Sequence, residues 1–144
     1  MSLTYSLRTS KDLLLKLERD VQILDERVTG DRFFNMVIPA YHIVDWVKRD
    51  ASVPKDATES MYKNKYLALC RDIANPSKHF SLNYENPAAD AAESRKGLGC
   101  GRFGKGPFGV GEESIRVYCS DGSQISSQEL AHGVLDAWRA FFAA

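Results

Sequence analysis

The 144-residue sequence lacks an excess of either charge, because 19 basic side chains balance 19 acidic ones. A protein without net charge has no overall field that would draw it to nucleic acid or to an anionic membrane. Cysteine is scarce as well, and Cys70, Cys100 and Cys119 are odd in number and far apart. This spacing argues against a disulfide framework and against the close C-x-x-C pairs of a zinc site. We therefore expect neither a metal nor another cofactor.

The sequence also lacks a long apolar run. The longest candidate, residues 33–47, is interrupted by Asn35, His42 and Asp45, and is too short and too polar to span a bilayer. The first residues do not show the charged and then apolar pattern of a secretory signal. We therefore expect a cytoplasmic protein without a membrane partner. With 44% hydrophobic and 26% charged residues, the composition and length are those of one globular domain, residues 1–144.

The first half of the sequence shows the apolar spacing of amphipathic helices. Apolar side chains three and four residues apart predict a first helix from about Lys11 to Val28. Thr9 or Ser10 can cap its beginning, because both carry a hydroxyl that accepts from an unpaired helical N–H. Gly30 is then expected to end this helix in the left-handed conformation that glycine adopts without strain.

Two further helices are predicted before residue 80. The second begins after Asp31 as its cap and runs to about Arg49, and its apolar residues on nearly every side are typical of a central, buried helix. Pro39 predicts a kink within it, because proline lacks an N–H donor and clashes with the preceding turn. The third is predicted over residues 57–74, and Asn75-Pro76 is expected to end it.

The second half changes character and predicts a small insertion over residues 81–125. It contains a glycine-rich run, residues 97–111, and then two short strands near residues 115–119 and 124–125. A last helix is predicted from Ser126, which begins a capping-box pattern. The sequence therefore predicts a mainly α fold, namely a helical bundle of about four main helices with a β-hairpin insertion before the last one.

One polar cluster lies on the predicted second helix, where His42 and Asp45 are one turn apart. Asp45 would hold His42 in one tautomer, so that the other ring nitrogen faces a ligand or a substrate. The alternative is that the pair belongs to a solvent-facing stripe of the helix, which also includes Arg32, Asn35 and Arg49. We predict His42 and Asp45 as binding residues and leave this alternative open.

A second polar cluster surrounds the end of the predicted third helix, with Arg71, Asn75, Lys78 and His79. A guanidinium, an ammonium and an imidazole at one helix end suit a phosphate group, and Asn75 adds an amide. Alternatively, these bases stand at a helix C-terminus because the helix dipole favours cations there. The sequence predicts Arg71 and His79 as catalytic candidates, and Asn75 and Lys78 as binding residues.

An α-helical domain with an arginine, a polar spacer and a histidine at a helix end resembles the HEPN superfamily. The resemblance rests on Arg71 and His79, with Asn75 as a polar residue of the spacer, and it covers about residues 11–80 and the last helix. It implies a homodimer, and some members are metal-independent ribonucleases whose Arg and His meet those of the second subunit. Seven residues separate Arg71 from His79, more than the family usually has.

The glycine-rich run resembles a phosphate-binding loop only in part. After Lys105 the pattern requires Ser or Thr, but Gly106 stands there, so we reject a nucleotide-binding loop. The run and its flank carry several bases without a nearby acid, and with Phe103 they predict a weak surface for single-stranded nucleic acid. These bases are Arg95, Lys96, Arg102 and Lys105. The alternative is a mobile insertion or a hairpin that bridges two subunits.

These observations leave two classes of function and do not establish an enzyme. We expect a binding or interaction module, such as a toxin–antitoxin or defence-type partner; the alternative is a metal-independent ribonuclease that uses Arg71 and His79 at a dimer cleft. The long spacer and the zero net charge favour the binding module. A homodimer is expected because the second helix presents more apolar surface than three other helices would cover, and a protein or RNA partner is expected in addition.

Overall fold

The computed structural model describes residues 5–79, 87–96, 99–106 and 111–144, and for residues 77–79 it describes the backbone alone. Most of these residues form helices, which are α1 (Ser10–Glu26), α2 (Gly30–Lys48), α3 (Lys55–Tyr62), α4 (Lys65–His79) and α5 (Ser127–Ala143). The others include three strands, which are β1 (Ala89–Arg95), β2 (Ser114–Cys119) and β3 (Gln124–Ser126). The mainly α class is confirmed, and the described residues form five helices in place of about four and a three-stranded sheet in place of a hairpin alone.

Helix α1 begins with a reciprocal cap. Of the two predicted capping residues, Thr9 is the one used: its hydroxyl accepts from the Asp12 N–H at 3.1 Å. The Asp12 carboxylate accepts in return from the Thr9 N–H at 2.8 Å. This capping box satisfies two backbone donors that a helix leaves unpaired. It also fixes the direction from which residues 7–9 approach the helix.

The junction of α1 and α2 differs from the sequence prediction. Gly30 does not end α1 in a left-handed conformation; it is the first residue of α2. The N-cap of α2 is Thr29, whose hydroxyl accepts from the Arg32 N–H at 3.1 Å, so the predicted cap at Asp31 was wrong. Thr29 stands immediately before the helix, whereas Asp31 is its second residue, and only a side chain at the cap position reaches the N–H three residues on.

The predicted third helix is two helices in the structure. The helix is interrupted at Lys63 and Asn64. The Asn64 side chain accepts from the N–H groups of Tyr66 and Leu67 at 2.9 and 3.2 Å. Helix α4 then continues through Pro76, so the prediction that this proline ends the helix was wrong. Near a helix end, proline removes only one hydrogen bond, and this loss is too small to stop the helix by itself.

Helix α2 is central, as its composition predicts, and continues through Pro39. It packs against α1, α4 and α5, and its inward side chains are buried. From α5, the buried Trp138 donates its indole N–H to the Ala40 carbonyl at 2.8 Å. Of its large apolar side chains, only Phe34 is exposed. The expectation that α2 leaves a wide apolar surface for a partner was therefore wrong, and the homodimer predicted from it stays a prediction.

The sheet is antiparallel with the order β1-β2-β3 and lies beside α4 and α5. Ile115, Val117 and Ile125 on one face of β2 and β3 are buried against the helices. Strand β1 was missed from the sequence, because its alanine-rich and charged residues lack the β-branched and aromatic side chains typical of strands. None of the helices among the described residues combines the length and the apolar character needed to cross a membrane.

Candidate functional site

An open groove of about 650 Å³ lies between the segment that precedes α1 and the C-terminal half of α2. The capping box holds residues 7–10 on one side of it, and α2 supplies the other side. We call it the α2 groove, and its charged and aromatic lining residues are Arg8, His42, Asp45, Trp46, Arg49 and Asp50. Three residues of the predicted polar stripe, His42, Asp45 and Arg49, therefore face one concave surface.

The histidine and the acid of this groove form a loose pair. His42 Nδ1 lies 3.5 Å from Asp45 Oδ2, and each side chain is about half exposed, at 49% and 50%. At this separation the carboxylate attracts a protonated imidazole without the short hydrogen bond that would fix its tautomer. The pair adds polar groups to the groove, and its separation of 3.5 Å is longer than the hydrogen bond expected between the two members of a catalytic dyad.

Two guanidinium groups of the groove are available to a ligand. Among the described residues, neither the Arg8 nor the Arg49 side chain forms an ion pair or donates a hydrogen bond, and both are exposed. The nearby Asp12 carboxylate is already occupied, since it accepts from the backbone N–H groups of Arg8 and Thr9. A guanidinium binds carboxylate or phosphate with paired hydrogen bonds, so the two arginines are the lining groups suited to an anion.

One acid at the end of the groove, Asp50, is engaged in local hydrogen bonds. The Asp50 carboxylate accepts from the Ser52 hydroxyl at 2.7 Å and from the Ser52 N–H at 3.0 Å. Both bonds lower the pKa of Asp50, and the bond from the hydroxyl has the larger effect. Trp46 is half-buried and adds an aromatic ring to the lining. The groove thus offers two guanidiniums, an imidazole and an aromatic ring, with Asp45 as the carboxylate least committed to the protein itself.

In the second predicted cluster, the first residue, Arg71, forms a contact within the fold. Arg71 Nε donates to Asp72 Oδ1 at 2.9 Å, and the Asp72 side chain is only 1% exposed. The other Asp72 oxygen accepts from the N–H groups of Ala88 and Ala89, which joins α4 to the beginning of β1. Asn75 is half-buried on α4. The side chains of Lys78 and His79 lie outside the described residues, so the predicted pairing of Arg71 with His79 stays a prediction.

The two predicted clusters lie on neighbouring helices and approach each other at Tyr41. Burial raises the pKa of the Tyr41 phenol, the negative charge of Asp45 raises it further, and the positive charge of Arg71 opposes them. One phenol on α2 is therefore within electrostatic range of residues from both clusters. Close by, the Lys48 Nζ lies 4.8 Å from the centre of the Tyr62 ring. The polar interaction with Tyr62 is the main cause that raises the pKa of Lys48.

The bases of the glycine-rich run are not equivalent in the structure. Arg102 binds the buried carboxylate of Glu112, with Nε 2.9 Å from Oε1 and Nη2 2.8 Å from Oε2. Arg95 lies 3.7 Å from Glu93, whereas Lys96 and Lys105 are exposed and form no ion pair with a described residue. Among these four bases, only the two lysines present an uncompensated charge. The predicted nucleic-acid surface is therefore reduced to a small number of charges.

Sequence reasoning missed Glu112, the buried acid that organises this region. Its Oε2 also accepts from the Val28 N–H at 2.8 Å, and its Oε1 accepts from the Arg102 N–H at 2.9 Å. The hydrogen bonds from Arg102, and then those from the backbone, lower the pKa of Glu112 to about 2. The only available signal was that no acid occurs between Arg95 and Gly111, so that Glu112 is the first acid that follows these bases.

Two further candidates for side-chain chemistry are Cys70 and His132. Cys70 is buried, and this burial raises the pKa of its thiol, which disfavours a reactive thiolate. His132 on α5 pairs with Asp25 on α1 at 2.8 Å, at the surface. Within the described ranges, no three side chains of His, Cys, Asp or Glu come together as a metal site would require.

Comparisons with known proteins give no relative for this chain: no family model, curated protein or solved structure matches it. The resemblance to HEPN proteins therefore rests on Arg71, His79 and the helical content alone. The candidate site has to be judged by its own geometry.

Proposed function

We propose that this protein is a binding module and that the α2 groove receives an acidic segment of a partner protein. The observation that carries this proposal is the pair of guanidiniums, Arg8 and Arg49, which line one groove without an ion-pair partner among the described residues. Unpaired arginines in a concave site supply directional donors, and they bind carboxylates more specifically than isolated surface lysines do.

The size and composition of the groove favour a short peptide over a nucleic-acid strand. A volume of about 650 Å³ is in the range of pockets that enclose a few side chains. Asp45 and Asp50 also line it, and their negative charges would oppose a continuous row of phosphates. Carboxylate side chains on a peptide can approach Arg8 and Arg49 while backbone amide groups face Asp45. Trp46 offers a ring against which an apolar side chain of the same segment can pack.

The experiment uses a synthetic hexapeptide with alternating glutamate and leucine, and a matched peptide with glutamine in place of glutamate. Trp46 fluorescence reports binding, because the other tryptophan, Trp138, is buried in the core. We expect the acidic peptide to change the emission with saturation and to bind at least about tenfold more tightly than the neutral one, with a loss of affinity in high salt.

A double variant tests the arginines directly. Arg8→Gln with Arg49→Gln is expected to abolish the preference for the acidic peptide. A matched control, Arg19→Gln with Arg116→Gln, removes two exposed bases elsewhere and should leave the preference unchanged. Equal binding of both peptides by the wild type, or an unchanged preference in the Arg8/Arg49 variant, would overturn the proposal.

The second candidate is the metal-independent ribonuclease. The position of Arg71 within electrostatic range of the Tyr41 phenol supports it, because a phosphate held by Arg71 would lie near a hydroxyl that can donate a hydrogen bond or a proton. An RNA cleavage assay in the presence of EDTA, with wild type and His79→Ala, tests it. Cleavage by the wild type that is lost in the variant supports this function; equal cleavage, or none, ends it.

A further inference from the structure

Strand β1 forms one edge of the three-stranded sheet and is unusually open to solvent. Its second edge is paired with no strand of the described chain, and every side chain from Asp90 to Lys96 is exposed. By contrast, β2 and β3 bury the side chains that face the helices, as Val117 and Ile125 show. The helices therefore cover β2 and β3, whereas along β1 they cover only its first residue, Ala89.

An open edge of this length is a template for pairing, because its outward N–H and C=O groups have no partner in the sheet. The irregularity in β1 lies between Ala89 and Ala91, at the start of the strand, so that residues 92–95 keep a regular register. Two opposite charges, Glu93 and Arg95, stand two residues apart and therefore on the same face of β1. Their side chains approach to 3.7 Å within the strand.

We propose that β1 pairs in antiparallel orientation with β1 of a second copy of this chain, with the two-fold axis at Ser94. The two sheets then join into one sheet of six strands. In this register Glu93 of each copy lies directly opposite Arg95 of the other, which gives two symmetric charge pairs across the junction. Opposite charges at directly opposed positions of an antiparallel pair stabilise it. A two-fold axis requires this self-complementarity, because each residue meets its counterpart at the mirrored position.

The charge pattern selects this register over its neighbours. An axis at Glu93 or at Arg95 would place two like charges directly opposite each other, which destabilises a strand pair. Within one copy, Glu93 is already opposite Arg116 on β2. With the axis at Ser94, the row across the sheet therefore reads Arg116, Glu93 and then Arg95 of the second copy, with alternating sign. The register at Ser94 brings each acid between two bases.

The edge is held in place by contacts on the other side of the strand. The Ser94 hydroxyl bonds to Glu113, and Glu113 also accepts from the N–H of Gly30, the first residue of α2. The α2 groove begins at His42, twelve residues later, which is about 18 Å along the helix axis. Pairing through β1 therefore leaves the groove accessible. Failure of one proposal would not affect the other.

The first test measures the mass of the full chain by light scattering over a range of concentrations. We expect a species of twice the 16.1 kDa of one chain. Arg95→Glu and Glu93→Arg each place like charges at both junction pairs, and each should weaken the dimer by about tenfold or more. The double variant, Glu93→Arg with Arg95→Glu, should restore dimerisation. The control Gln124→Glu adds a charge at an exposed position of β3 and should have no effect.

The second test traps the register. In a background of Cys100→Ser and Cys119→Ser, Ser94→Cys places one thiol on the two-fold axis, where opposed Cα atoms are about 4.5–5.5 Å apart. With oxidised glutathione added as the oxidant, which is itself reduced to two thiols, we expect rapid formation of the intermolecular disulfide. Ala91→Cys is equally exposed, but the two thiols would be about 20 Å apart and should not join. A monomer at all concentrations, a dimer insensitive to the charges at 93 and 95, or equal crosslinking of both variants would overturn the proposal.

Discussion

Arg102 and Glu112 form a two-pronged ion pair in which the carboxylate is 1% exposed and the guanidinium 38% exposed. The same carboxylate accepts from Val28, and the same guanidinium donates to the Asp25 carbonyl at the end of α1. A segment with the composition of a loose insertion is thus fixed to the junction of α1 and α2. The pair therefore has a structural role, and we expect its removal to reduce the free energy of unfolding more than any binding affinity.

Replacement of Arg102 tests this structural role. Arg102→Met keeps much of the side-chain volume but leaves the Glu112 carboxylate buried without its cation, so we expect the free energy of unfolding to fall by about 3 kcal/mol. Urea denaturation followed by circular dichroism measures it. Lys105→Met, an exposed base three residues on, is the matched control and should change stability by less than about 0.5 kcal/mol. Equal effects of the two variants would show that the pair does not stabilise the fold.

Stability should depend on pH through Glu112. Its pKa in the folded protein is about 2, below the ordinary value of 4.5, so the folded state favours the ionised carboxylate. This contribution is complete above about pH 4.5 and is lost as the pH falls towards 2, and over that window it amounts to about 3 kcal/mol. Urea midpoints between pH 6 and pH 2.5 should show a loss that Glu112→Gln reduces, although this variant is less stable at neutral pH. A profile of the same steepness in both proteins contradicts the assignment.

Gly101 is required by space and Gly104 by backbone conformation. A Cβ at Gly101 would overlap the backbone and side chain of Glu112, whereas one at Gly104 would meet nothing within 4 Å. Gly104 has φ of +76°, for which an L-residue costs about 1–2 kcal/mol. We expect Gly101→Ala to reduce the unfolding free energy more than Gly104→Ala does, because it also displaces the buried carboxylate. Thermal unfolding of the two variants gives the comparison; a larger loss for Gly104→Ala would argue against the packing of this segment.

Asp72 should matter for the attachment of β1. Asp72→Ala removes the acceptor of two N–H groups, at Ala88 and Ala89, and we expect a loss of about 2 kcal/mol together with faster hydrogen exchange along β1. Asp90→Ala, at an exposed acid of the same strand, provides the comparison and should leave exchange nearly unchanged. Protected amides in β1 of the Asp72 variant would show that the strand is held by β2 alone.

The sequence predicted the helices better than their ends. The spacing of apolar residues placed α1, because burial of one face repeats at every turn, while the dense apolar composition placed α2 and the capping-box pattern placed the beginning of α5. The ends depended on single side chains: Thr29 began α2 in place of Asp31, and Asn64 divided the predicted third helix. Where a helix begins depends on which side-chain hydroxyl or amide accepts from a backbone N–H. Several neighbouring residues carry such a group, so the sequence does not distinguish among them.

The candidate site was predicted in part. Spacing placed His42, Asp45 and Arg49 on one stripe, and the structure shows them in one groove. Arg8 could not be assigned to it from the sequence, because it precedes α1 and meets α2 only through the packing of the two helices. The role of Arg102 was also beyond sequence reasoning, since its acceptor, Glu112, is ten residues away and buried.

The sequence by itself determined a mainly α chain with α2 at its centre, because the periodicity and density of apolar side chains specify which faces must leave water. Only the tertiary structure decided which polar groups are paired and which are open to a partner. Arg102 and Asp72 form hydrogen bonds within the fold, whereas Arg8, Arg49 and the edge of β1 are exposed to solvent. The physical reason is that the sequence specifies where each charged side chain stands along the chain, whereas its partner is the group that the fold brings close to it in space.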